Sequence, residues 1–254
     1  MNQRNLLGTV QSSSGGFSTL EVLLVMVVSL IIAAFAIPGF NQVQRTLRIS
    51  GDARDLNGAL NQAKMQAAAD FTEARVYVDL APNPIYCPQT NTGSGCTFHV
   101  DVWNKAGNGG AGCWQVIGDV NNPCFIAGVS PVQILSTGVT FAFAGIGAPP
   151  PNTQPLGIAE GTSQGGQGER CTPVNGKRVG QQATTACIQF NSRGIPIDYG
   201  NGGVPTGNGA IYVSDTTQVY GVTVGATGLS QVWANNIKGN GNGNGNNANG
   251  WYRK

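Results

Sequence analysis

Residues 16–40 read Gly-Phe-Ser-Thr-Leu-Glu-Val-Leu-Leu-Val-Met-Val-Val-Ser-Leu-Ile-Ile-Ala-Ala-Phe-Ala-Ile-Pro-Gly-Phe. From Asn5 to Gln44 the only charged side chain is Glu21, and residues 22–37 are apolar apart from Ser29. As a helix rising about 1.5 Å per residue, 17–40 is about 36 Å long, enough for a hydrocarbon core of about 30 Å. The pattern predicts a membrane span over 17–40. A carboxylate within such a helix is costly unless it is paired. Glu21 is therefore a candidate functional residue, the blander reading being an interfacial glutamate that merely ends the apolar stretch.

The flanks separate three readings of the span: a cleaved secretory signal, an ordinary anchor and a processed signal that leaves the helix in place. Ala34-Phe35-Ala36 has the small-residue spacing of a secretory cleavage site. However, sixteen residues with Arg4 as their only charged side chain precede the span, and Glu21 stands at its start. A basic start leading directly into a short apolar region is missing.

Gly16-Phe17-Ser18-Thr19-Leu20-Glu21, followed by Val22-Leu23-Leu24-Val25, resembles the type IV prepilin signature. The resemblance implies a leader at 1–16, cleavage between Gly16 and Phe17 by a prepilin peptidase, N-methylation of Phe17, and retention of the helix. It places Glu21 as the fifth mature residue, where the family carries its assembly glutamate, and matches Pro38 to the proline that kinks these helices. It also implies a bacterial inner-membrane protein with a periplasmic C-terminal domain, which then enters a pilus or pseudopilus beside other pilin or pseudopilin subunits. Arg45, Arg48 and Arg54 after the span, against Arg4 before it, point the other way by the positive-inside rule. The prepilin match and the cysteines outweigh that count.

The chain has 254 residues, a formal charge of +2, 10% charged residues, 38 Gly and 13 Pro. That length allows one sizeable core with long loops, and the charge is far from that of a surface devoted to nucleic acid. Six cysteines, Cys87, Cys96, Cys113, Cys124, Cys171 and Cys187, fit disulfides in an oxidising compartment. A structural zinc site is the rival, but there is no C-x-x-C and His99 is the single histidine. Proximity alone favours Cys87–Cys96, Cys113–Cys124 and Cys171–Cys187, among the many pairings that six cysteines permit.

After Pro38, residues Ile49, Ala53, Leu56, Leu60, Ala63 and Ala67 recur every three or four positions, which extends an amphipathic helix over 41–69. Gly51 and Gly58 weaken it locally. A β-rich domain is expected over 70–238, with strands around 76–80, 97–103, 139–143, 186–190, 195–199, 210–214, 219–224 and 229–234. The fold class is α+β: a long N-terminal helix, transmembrane then amphipathic, packed on antiparallel strands. The segments 136–141, 188–194 and 211–233 are similar to strand patterns of the GspH/FimT group of minor pilins and pseudopilins, which implies a two-sheet domain. The extra cysteines and the loop 144–185 depart from that pattern. The loop is read as an insertion, with partner binding as its alternative. Residues 239–254 open with a run of Gly and Asn and are expected to form a mobile tail.

Gly161-Thr162-Ser163-Gln164-Gly165 matches G-x-S-x-G but lacks the strand and helix that motif requires. With His99 as its only available base, catalysis is not expected. Trp251-Tyr252-Arg253-Lys254 could stack on bases and touch phosphates, so DNA is kept as a partner in an alternative reading. No metal or cofactor is implied. The expectation is a non-enzymatic subunit of a type IV pilus or a type II secretion pseudopilus, with a DNA-binding minor pilin as the alternative.

Overall fold

The computed structural model describes residues 16, 18–81, 95–116, 132–143, 146, 150, 171–172, 184–198, 202–207, 209–215, 217–236 and 250–254. The chain forms two units, Met1–Gln44 and Arg45–Lys254. The α-helix α1, Thr19–Ala69, begins in the first and ends in the second.

Within Arg45–Lys254, α1 carries the apolar face its spacing predicts: Ile49, Ala53, Leu56, Leu60, Ala63 and Ala67 are all buried. Gly51 and Gly58 meet nothing within 4 Å of a built Cβ, so they lie off the packed face. At its end, the Thr72 amide donates to Ala67 O and the Asp70 amide to Gln66 O, which satisfies carbonyls the helix would otherwise leave open.

Two antiparallel sheets follow. The first contains β1 (Ala74–Asp79), β2 (Thr97–Asn104), β3 (Cys113–Val116), β4 (Gln133–Ile134), β5 (Thr185–Phe190), β6 (Pro196–Asp198) and β7 (Val204–Pro205). Its order is β3-β2-β1-β5-β6-β7, with β4 also on β2. The second contains β8 (Gly209–Ser214), β9 (Gln218–Val224), β10 (Ser230–Asn236) and β11 (Tyr252–Arg253), in the order β11-β10-β9-β8. The α+β, two-sheet expectation therefore holds.

Strand alternation divides each sheet between two environments. Val76, Val100, Ile188 and Phe190 from the first sheet join Ile211, Val213, Val222 and Val224 from the second in one core with the α1 face. On the reverse of the second sheet, Ala210, Tyr212, Val219 and Trp251 form a separate cluster, with Phe143, Ile146 and Trp233 packed against it. The outward positions of β1 and β2 carry Arg75, Tyr77, His99 and Asp101, of which Arg75 and Asp101 are fully buried.

Two expectations need correction. Residues 139–143 do not form a strand; only Thr140 bridges, to Ser214. The tail is also not free to its end, because Trp251 is buried and Tyr252–Arg253 pair with β10. The indole supplies apolar area that the preceding Gly/Asn run lacks.

Candidate functional site

Taken by itself, the N-terminal unit is an exposed apolar helix among the described residues. Gly16 is exposed, and among the described residues a Cβ built there would meet nothing within 4 Å. Phe17, the expected new terminus, lies outside the described residues. The Val22 amide donates to Ser18 O, fixing the first turn, and Glu21 is exposed within that turn. An acidic side chain there faces the positive end of the helix dipole. None of the apolar stretch of α1 is buried, and the helix is long and apolar enough to cross a membrane. Phe35, for example, is 81% exposed. Ser29 Oγ donates to Val25 O, which satisfies the hydroxyl within the helix. Pro38 falls within α1.

No protein-family model, curated protein or solved structure matches this chain.

The remaining candidate residues lie in the larger unit. Cys171 and Cys187 form a disulfide, as proximity predicts. Cys96 and Cys113 are also disulfide-bonded; Cys87 and Cys124 lie outside the described residues, as does the G-x-S-x-G segment at 161–165. Tyr252, Arg253 and Lys254 are exposed, and Lys254 Nζ sits 5.3 Å from the centre of the Tyr252 ring. Trp251 is withdrawn from any stacking role by its burial among Phe143 and Tyr212.

Among the described residues His99 sits between Tyr77 and Asp101. Its ring stacks on Tyr77 with centroids 4.8 Å apart, and its Nε2 lies 3.0 Å from Asp101 Oδ1, without the alignment of a full hydrogen bond. Arg75 Nε donates to Asp101 Oδ2 at 2.9 Å, while Nη1 donates to Thr172 O and Thr172 Oγ1. The guanidinium lies 4.1 Å from the centre of the Trp114 ring, within cation–π range. Burial alone would raise the Asp101 carboxyl, but the neighbouring His99 and Arg75 side chains, with the Arg75 hydrogen bond, outweigh it and hold Asp101 below the ordinary carboxylate value. Burial lowers the Arg75 guanidinium, against the opposing pull of Asp101. Burial also pushes the Tyr77 phenol up to about 12.

Sequence reasoning missed this cluster. Arg75 and Asp101 alternate with apolar residues as solvent-facing polar positions do, so nothing local in the sequence marked them as buried. A groove of about 550 Å³ beside α1, lined by Asp52, Asp55, Ala59, Gln62, Phe98 and Ile134, was also not legible. Among the described residues no group of three or more His, Cys, Asp or Glu side chains could hold a metal ion.

Proposed function

We propose that this chain is a minor pilin or pseudopilin, a structural subunit that enters a type IV pilus or type II secretion pseudopilus through α1. The observation that carries the reading is the N-terminal part of α1: an unburied apolar helix with one carboxylate, Glu21, in its first turn. In low-dielectric surroundings that carboxylate gains most from a cation supplied by another chain. The N-terminal amine created by cleavage after Gly16 in a neighbouring subunit is the natural candidate. The disulfide-bonded, two-sheet domain suits residence outside the cytoplasm.

Mass spectrometry of protein from the native membrane is expected to find a mature chain beginning at N-methylated Phe17. A terminus at Ile37 would establish a secretory signal instead. Glu21→Ala is expected to leave the disulfide and the β domain intact and to accumulate, correctly cleaved, in the inner membrane. Immunoblots of sheared filaments and membrane fractions measure the split, and equal incorporation of both proteins would remove the assembly role of Glu21. Capture of DNA is the weaker reading, because Trp251 is occupied within the fold.

A further inference from the structure

The connection between β2 and β3 runs Lys105-Ala106-Gly107-Asn108-Gly109-Gly110-Ala111-Gly112. Asn108 and Gly109 form its tip in successive left-handed conformations, with φ at +50° and +66°, and the Gly110 amide donates to Gly107 O across them. Asn-Gly is the pair that takes this hairpin twist with least strain. The base of the turn is fixed. There the Gly112 amide also donates to Gly107 O, and a Cβ at Gly112 would collide with the Trp103 indole. The tip is open: Asn108, Gly109 and Gly110 are exposed, and a Cβ at Gly109 would meet nothing within 4 Å among the described residues.

Two polar groups at the tip have no partner among the described residues. The Asn108 carboxamide makes no hydrogen bond and the Gly109 amide donates none, whereas the Asn108 carbonyl accepts from the Ala111 amide. A carboxamide and the following main-chain nitrogen are the reacting partners of a cyclic imide, and glycine leaves that nitrogen unhindered. The chain supplies its own comparison. Asn57-Gly58 is the other Asn-Gly pair of which both residues are described. It lies inside α1, where the Gly58 amide is held in the helix ladder, the Asn57 carbonyl also accepts from Asn61 Nδ2, and Asn57 Oδ1 is buried.

We propose that Asn108 is a site of spontaneous self-modification. The Gly109 nitrogen attacks Asn108 Cγ and forms a C–N bond, while the carboxamide nitrogen departs with the displaced proton as ammonia. Water then opens the imide at either carbonyl, giving aspartate or isoaspartate. No oxidant or reductant enters. Either product adds a carboxylate to a turn whose single charged side chain is Lys105. Isoaspartate also lengthens the main chain of the turn, against the hydrogen bond from Gly110 to Gly107. The inference does not depend on the membrane reading of α1.

The test incubates full-length protein in detergent in mildly alkaline buffer. Peptide maps with tandem mass spectrometry follow the amide-to-acid mass gain at each asparagine, and an isoaspartate methyltransferase reports the rearranged product. Conversion at Asn108 is expected to outrun that at Asn57 by about fivefold or more, the factor to which the loss of one helix hydrogen bond alone corresponds. In denaturing urea both pairs lose their structure, and the gap is expected to close. Asn108→Gln, whose longer side chain must close a larger ring, is expected to abolish the product at that position and leave Asn57 unchanged. The inference is overturned if Asn108 stays intact in the folded protein while it converts in urea, or if Asn57 keeps pace with it. A gap that persists undiminished in urea would also overturn it, by tracing the difference to neighbours in sequence rather than to the turn.

Discussion

Phe71 follows α1 with φ at +48° and its side chain 78% exposed. Glycine is the usual residue in this left-handed position after a helix, and a residue with a Cβ costs about 1–2 kcal/mol there. Phe71→Gly is therefore expected to stabilise the domain by about 1 kcal/mol, a rise in Tm of about 2–4 °C for a domain of this size. A lower Tm would show that the ring makes a contact worth more than its strain. At Arg75 and Asp101 the balance is reversed. Removing one member of a buried pair strands the other charge, so Asp101→Ala should cost about 3–5 kcal/mol, read as a lowered midpoint in urea. The double change Arg75→Met with Asp101→Leu should cost much less than either single change, because no charge is then left buried. The fold holds the Asp101 carboxyl below its ordinary value of 3.8, and this fixes the sign of its pH dependence. Its contribution is complete above that value and is lost as pH falls through the lower, folded-state value. Urea midpoints measured at falling pH should show this acid loss in the parent protein and a shallower one in the double variant.

Among the elements, α1 was the most legible, because its buried face recurs at helical spacing and its apolar start admits few readings. β1, β2, β5, β8, β9 and β10 were legible because each runs for at least six residues rich in strand-forming side chains, some alternating and some continuously apolar. β4, β7 and β11 have two residues each, too few to show a period, and β4 owes its pairing to a neighbour distant in sequence. The candidate site divides similarly. The N-terminal signature is local, whereas the Arg75 cluster exists only once β1, β2 and the segment at Thr172 are brought together. One of several contacts ties α1 to the segment that follows β4. The Ser136 amide and Oγ donate to Asp52, yet burial still raises the Asp52 carboxyl, outweighing those hydrogen bonds. A raised folded value means that the charged form weakens the fold, so stability should increase as pH falls through the window above 3.8. Asp52→Asn keeps an acceptor for Ser136 without the charge. It is expected to raise Tm slightly at pH 7 and to leave it unchanged well below pH 4, as thermal melts at the two pH values would show.

Across the whole molecule, the Cys171–Cys187 bond spans sixteen positions and secures Thr172 beside Arg75. Loops of about that size contribute about 3 kcal/mol through the entropy of the unfolded chain. Replacing both cysteines with serine is expected to lower Tm by about 6–12 °C and to expose Trp114, visible as a red shift of its fluorescence. The arrangement of the first sheet also has a kinetic consequence. Asp79 on β1 pairs with Thr97 on one side and with Thr185 on the other. β8, β9 and β10 pair in sequence as a meander of near neighbours. Closing the distant β1–β5 pair requires a large loop-closure entropy before any contact rewards it, whereas the meander forms at low contact order. A chain emerging from its N-terminus would therefore hold β1 with one edge open until residue 190 has appeared. Pulse-labelled hydrogen exchange should find the β9 amides protected before those of β5, and the open edge of β1 marks the interval in which a nascent copy is most exposed to pairing with the wrong strand.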